Sequence, residues 1–404
     1  MHPLLVLLIV ITLAYALGEV CRKTRMPRVV GYIFAGLLLG VPQIRPYLLT
    51  DETGPLLDFM SQMGILLLFF FVGLQVDMKK FQRHISESIL VSVFNTLLPL
   101  VIGAVAMHYI FGVAWIGSVI VGMCLAMSAQ AVSVDVLEEL GMLRSKIGRI
   151  IITSGTIDDV FELGLISVVF ALIHAVTGQA STTQVLGDAA IFVIAIIAFR
   201  YVIVPVLLNL FAAEQKLSAL FTGAVVITLI MAVVTEYLGL GAIIGALFAG
   251  LIVREVLLTG NKKQVWEEHN IAKAIHIISF GLFVPIFFVW VGMKTDITAI
   301  FTNTGMMITM VIIALFGTVV GTIIGVLLHK GGTFHEGLIV GWGVAPKGDV
   351  ELVIAILALG RTLIGPDVYS ALVLMAFFTT LISPLVFRYV LTKYSKKKVK
   401  PSVA

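Results

Sequence analysis

The sequence predicts an all-α polytopic membrane protein, and three observations carry that prediction. Of the 404 residues, 59% are hydrophobic and only 12% are charged, with a mean hydropathy of +1.09, a balance that water-soluble globular domains do not sustain. Apolar runs of bilayer-crossing length follow one another along the whole chain. The short loops between them alternate between rich and poor in lysine and arginine.

In order, spans are predicted at 3–21, 27–42, 55–76, 85–110, 116–137, 147–174, 185–211, 216–236, 240–257, 273–293, 303–328, 336–359 and 367–391, each near the roughly 20 residues that cross hydrocarbon as a helix. That makes thirteen. The first opens as MHPLLVLLIV without the basic stretch of a cleavable signal, so it is expected to remain in the mature protein. Alternate loops hold Arg22, Lys23, Arg25 and Arg28, then Lys79, Lys80 and Arg83, then Arg144, Lys146 and Arg149, then Lys216, then Arg254, Lys262, Lys263 and Lys273, then Lys330, and finally Lys393 to Lys400. The opposite loops hold mainly Arg45, Lys294 and Arg361. The crowded side is assigned to the cytoplasm, with the N-terminus outside and the C-terminus inside a plasma membrane. The net charge of +4 thus reads as topology and not as a nucleic-acid surface.

Neither cysteine chemistry nor a metal cluster is indicated. Cys21 and Cys124 lie in or beside apolar segments and form no disulfide framework. His108, His174, His276, His329 and His335 fall near span ends without metal-ligand spacing and read as solvated side chains.

The chain carries an internal echo. The third span ends in VGLQVDM and the tenth in VGMKTDI, placing Asp77 and Asp296 219 residues apart. AGLL begins at Ala35 in the second span and AGLI at Ala249 in the ninth, 214 residues apart. By the charge-derived topology each pair runs in opposite directions, which predicts two inverted six-helix repeats joined by a linker helix. Corresponding spans also carry interruptions. The fifth contains AMSAQAVSVD, with Ser128, Gln130, Ser133 and Asp135; the twelfth contains GWGVAPKGDVELVIA, with Pro346 and Gly348 beside Lys347, Asp349 and Glu351. Unwound backbone at bilayer depth persists only where it lines a site, so two broken helices at one central site are expected.

The sixth span brings the chemistry. Asp158 and Asp159 are adjacent in GTIDDVFELG, with Glu162 one turn from Asp158. An ionised carboxylate at bilayer depth costs roughly 2.5 to 3.5 kcal/mol on insertion scales, so such a group marks function by default. An apolar setting and a like charge alongside let the pair hold a proton near neutral pH. Hard carboxylate oxygens also suit a small cation, and competition between the two for one site is all that exchange requires. Consecutive helical residues lie about 100° apart, so one aspartate faces an ion path while the other faces a packed neighbour. Lys347, Asp349 and Glu351 are expected to neutralise helix ends or one another. Arg200, mid-span in the seventh, is expected to be paired within the bundle, and Lys294 to snorkel from a span end. The glycines of FFFVGL and FAGL are read as helix packing.

In MPRVVGYIFAGLLLG, GILLLFFFVGLQVDM, AMSAQAVSVDVLEELG, GTIDDVFELG, LGLGAIIGALFAGL, VPIFFVWVGMKTDI and PKGDVELV, in that order, the chain resembles the monovalent cation:proton antiporters of the second cation/proton antiporter family, the branch of bacterial sodium/proton exchangers and potassium efflux systems. The resemblance implies a homodimer with a dimerisation panel of helices 1–3 (1–84) and 8–10 (215–300). Core helices 4–6 (85–180, the fifth broken) and 11–13 (301–392, the twelfth broken) would move past the panel as an elevator. Linker helix 7 spans 181–214 and a basic cytoplasmic tail 393–404. It also implies Asp159 as principal cation and proton carrier, Asp158 beside it, and Ser128 as a hydroxyl near the ion; Glu162, by its spacing from Asp158, and Gln130, by its place in the first break, are read as supporting residues.

Three departures stand out. Lys347-Gly348-Asp349 replaces a common Arg-Gly-Glu. Thr318 takes the place of a lysine that usually pairs with the first aspartate, and no lysine lies from Phe301 to Leu328, which favours electroneutral exchange. No GxGxxG context for a nucleotide-binding regulatory domain in cis is present. The expected activity is exchange of Na+, Li+ or K+ for H+, without cofactor, enzymatic chemistry or nucleic-acid partner, in contact with lipid. A cation channel or uncoupled carrier is the alternative. An intramembrane aspartyl protease needs its aspartates on facing helices, and here they are neighbours.

Overall fold

The computed structural model describes residues 2–24, 26–75, 85–129, 131–143, 145–155, 157–158, 161, 196–206, 217–238, 241–258, 272–298, 302–329, 331–348 and 350–398. Among the described residues the regular elements are all helical. They are α1 (Pro3–Lys23), α2 (Arg28–Leu39), the short α3 (Arg45–Leu48), α4 (Thr53–Gln75), α5 (Ile85–Tyr109), α6 (Trp115–Ala126) and α7 (Ala131–Glu139). Then come α8 (146–155, with 157–158 also helical), α9 (Ile196–Val206), α10 (Leu217–Tyr237) and α11 (Ala242–Leu258). α12 (Ala272–Lys294) and α13 (Thr304–Leu328) follow, and α14 (Phe334–Val344), α15 (Val350–Gly360) and α16 (Pro366–Lys398) complete the series.

Six of these, α1, α4, α5 from Ser88, α12, α13 and α16 to Lys393, are long and apolar enough to cross a membrane, and the shorter apolar helices include α2, α6, α9 and α15. The chain is a multi-pass helical membrane protein. Leu4, Leu8 and Tyr15 on α1 point outward, as a lipid-covered surface requires and a water-covered one would not reward. Where described residues reach a predicted span boundary, helix ends stand within a few residues of it, except that α16 continues past the predicted 391 to Lys398. The α3 turn was not predicted: four residues show no periodicity, and it is fixed by burial of Leu48 and by Thr53, whose hydroxyl donates to the Leu48 carbonyl.

Two compact units divide the fold. The first comprises Met1–Thr12, Pro46–Val76 and Leu163–Trp290. Its core gathers Phe70, Leu74, Phe199, Ile227, Met231, Ile252, Val253 and Ile275. Here α4 and α11 touch backbone to backbone. A Cβ at Gly73 would lie 2.2 Å from the Leu247 oxygen and 3.1 Å from Gly250 Cα, and one at Gly250 would lie 2.1 Å from the Phe70 oxygen. The ion pair of Arg200 with Glu255 sits in this unit, so Arg200 is paired as expected.

The second unit comprises Leu13–Arg45, Asp77–Glu162 and Val291–Ala404. A Cβ at its Gly292 would lie 2.5 Å from the Ile33 oxygen and 2.8 Å from both Gly36 Cα and Leu37 N. The offsets match those at Gly73, whose neighbours are Leu247 O, Gly250 Cα and Leu251 N. The four segments of the sequence echo therefore meet in two like contacts, one in each unit. In the second unit α13 also lies against α5 along a stripe of small residues: a Cβ at Gly321 would stand 2.2 Å from the Phe94 oxygen, and one at Gly325 2.6 Å from the Leu90 oxygen. α13 contains a π-helical turn, Ile313–Gly317, a wide turn of the kind often found at functional sites.

Candidate cation site

Both interrupted spans are broken. α6 stops at Ala126 and Met127 is extended, φ −63 and ψ 148, before the chain turns helical again in α7. α14 stops at Val344 and residues 345–348 are non-helical before α15, because Pro346 has no N–H to continue the ladder. The two breaks touch: the Ala129 N–H donates to the Pro346 carbonyl at 2.7 Å.

The breaks leave carbonyls at the ends of α6 and α14 without helical partners, and each half closes the other. Lys347, fully buried, donates its ammonium to the Ala126 carbonyl at 3.2 Å, to Ser128 Oγ at 3.4 Å and to Thr318 Oγ1 at 3.2 Å. A positive charge on the last carbonyl of α6 meets the negative end of the helix dipole. Reciprocally, Ser133 from α7 donates to the Gly343 carbonyl at the end of α14. These contacts fill one of the two roles open to Lys347, that of a helix-end partner. Thr318 and Lys347, two separate departures from the family pattern, are one contact.

Asp158 is buried and held from α5: Ser92 Oγ donates to Oδ1, and Asn95 Nδ2 donates to Oδ2 at 3.1 Å. Asn95 Oδ1 in turn accepts from Thr96 Oγ1 at 3.0 Å. Sequence reasoning missed Ser92 and Asn95. The signal was present, since two polar residues at i, i+3 in an apolar span share a helix face, but only the fold shows that α8 lies on that face. α13 joins the groups, because Gly321 bears on Asn95 one turn from Thr318. Glu351 is buried too, and its carbonyl accepts from Cys124 Sγ at 3.6 Å. Gln130, Asp159, Glu162 and Asp349 lie outside the described residues. Lys294 ends its helix exposed, and Asp296 Oδ1 accepts from the Thr298 backbone and side chain in a local turn, at 2.9 and 2.7 Å, apart from this site.

Comparison with known proteins agrees with the all-helical membrane fold. The Na(+)/H(+)-K(+) antiporter GerN of Bacillus cereus is 26% identical over 372 residues, 92% of each chain. The Na(+)/H(+) antiporter of Enterococcus hirae is 26% identical over 391 residues, 95% of this chain and 97% of its own. Among solved structures, the sodium proton antiporter MjNhaP1 of Methanocaldococcus jannaschii superposes with a TM-score of 0.71 at 14% identity, covering 98% of both chains, a likeness of fold. A family model described as the transmembrane sodium/hydrogen exchanger matches residues 7–393, and the chain belongs to that family.

Proposed function

We propose that the protein is a secondary active antiporter exchanging Na+ or K+, with Li+ also accepted, for H+ across the plasma membrane. Cation and proton compete for the aspartate pair, with Asp159 the principal carrier, Asp158 beside it and Ser128 near the ion; Gln130, Glu162, Lys347, Asp349, Glu351 and Thr318 support them. The observation that carries this reading is the crossing itself. In one helical unit of an exchanger-family chain, two broken helices close each other's ends through a buried ammonium, and a buried carboxylate is held from the helix alongside. Buried charge in a membrane bundle costs stability, so its concentration at the crossing supports a functional reading.

The finer architecture belongs to the same proposal. Thirteen spans form two inverted repeats, a reading supported by the like contacts Gly73 to Gly250 and Gly292 to Gly36. Panel helices (1–84, 215–300) hold a homodimer, core helices (85–180, 301–392) move as an elevator around linker 181–214, and the N-terminus lies outside. The relatives' printed activities support sodium, and GerN's supports potassium as well.

In proteoliposomes with an imposed pH gradient, adding sodium, lithium or potassium between pH 6 and 9 should dissipate the gradient. Asp159→Asn should abolish the response. Silence with all three ions would overturn the exchange reading, and cation flux without counter-moving protons would make the protein a channel.

A further inference from the structure

α16 brings a polar side chain to the crossing that no charge or motif in the sequence announced. Thr380 is buried, 1% exposed, and its hydroxyl has no hydrogen-bond partner among the described residues. That is unusual for a helical threonine, which ordinarily returns its hydroxyl to the carbonyl one turn back. Thr228, Thr235 and Thr322 do so at 2.7, 3.0 and 2.8 Å. The carbonyl that Thr380 would use, that of Ala376, already accepts from Thr379 at 3.1 Å. One turn further on, Ser383 donates to the Trp342 carbonyl of α14 at 3.0 Å, so this face of α16 is turned toward the broken helix.

The hydroxyl lies against the second break, where the first break also comes close. A Cβ built at Gly348 would lie 3.2 Å from Thr380 Oγ1 and 3.9 Å from the Ala129 Cβ. Glycine at 348 leaves that space without a side chain, between the residue after Lys347 and the residue after Ser128. A buried hydroxyl without a partner among the described residues is costly unless something else meets it, and an uncharged oxygen facing a helix break in a cation exchanger has a natural partner in a partly dehydrated monovalent cation, which takes hydroxyl and carbonyl oxygens as ligands.

We infer that the Thr380 hydroxyl, supplied by α16, is an oxygen ligand of the transported monovalent cation at the crossing. The inference rests on the exchange reading and adds to it α16, a helix remote in sequence from the aspartates, as a contributor to cation affinity.

The test compares the full-length protein with Thr380→Val, which keeps the shape and removes the oxygen, and Thr380→Ser, which keeps the oxygen. Two quantities are read: apparent KM and maximum rate for Na+ and K+ in proteoliposomes, and the rise in unfolding temperature that each cation produces in detergent. Thr380→Val should raise KM for the preferred cation about tenfold, the effect of losing one contact to a charge, with maximum rate within about twofold, and should lose the cation-dependent stabilisation. Thr380→Ser should stay within about twofold of the parent protein. An unchanged KM in Thr380→Val overturns the inference, as does failure of Thr380→Ser to preserve KM, the mark of a packing role. If Thr380→Val does not accumulate, Thr380→Ala removes the same oxygen without the added apolar branch and is judged by the same criteria. If the parent protein exchanges nothing, the exchange reading falls, while the cation-dependent melting of parent and variant still decides whether Thr380 is a ligand.

Discussion

At the residue scale, the informative pair is Lys347 and Thr318. An ammonium in a water-free interior is tolerable only where oxygens surround it, and here a helix-end carbonyl and two hydroxyls do so at 3.2 to 3.4 Å. A hydroxyl at 318 accepts from Lys347, whereas a lysine there would bring a second positive charge against the first. The two residues should therefore be coupled energetically. In a double-mutant cycle of Lys347→Met and Thr318→Val, read as detergent-solubilised unfolding free energies, the coupling should be about 1 kcal/mol; additive effects would deny the contact its weight. Asp158 shows what single-residue reading leaves out. Its cost in a membrane helix was plain from sequence, yet its partners Ser92 and Asn95 lie on a helix more than 60 residues earlier, and nothing local links them.

At the element scale, glycines decide which helices approach. Gly321 and Gly325 let α13 reach the α5 backbone beside Asn95, and Gly73 with Gly250 do the same for α4 and α11. Gly321→Ala should lower the unfolding temperature, since a Cβ 2.2 Å from the Phe94 oxygen forces the helices apart at about 1 to 3 kcal/mol. Gly305→Ala, on the same helix with nothing within 4 Å, is the control and should be neutral or slightly stabilising. Equal losses from both would mean that helix propensity and not close approach governs α13. The breaks in the fifth and twelfth spans were legible because proline, glycine and clustered polar residues are improper inside a spanning helix. Their mutual closure was not, because Ser133 to Gly343 and Ala129 to Pro346 are contacts across more than 200 residues of chain.

At the scale of the whole molecule, the charge moved per cycle is the property that the residues and helices jointly set. No lysine lies between Phe301 and Leu328, and the ammonium that reaches Thr318 comes from 347, where it is engaged on the end of α6. Exchange by this protein should accordingly be electroneutral: the initial rate with sodium as substrate in proteoliposomes should not change when the membrane potential is set at different values by gradients of the permeant anion thiocyanate, which the protein is not proposed to carry. Clear potential dependence would refute this. The sequence by itself determined the membrane class, the places of the described helices, the two helix breaks and the family, because hydropathy, loop charge and helix-breaking residues act locally and along the chain. Tertiary structure alone decided that Lys347 meets Thr318, that Ser92 and Asn95 hold Asp158, and that Thr380 faces the crossing. Each of these depends on which helix faces lie together, and in lipid that is set by close packing of small residues, which hydrophobicity, uniform across such spans, cannot encode.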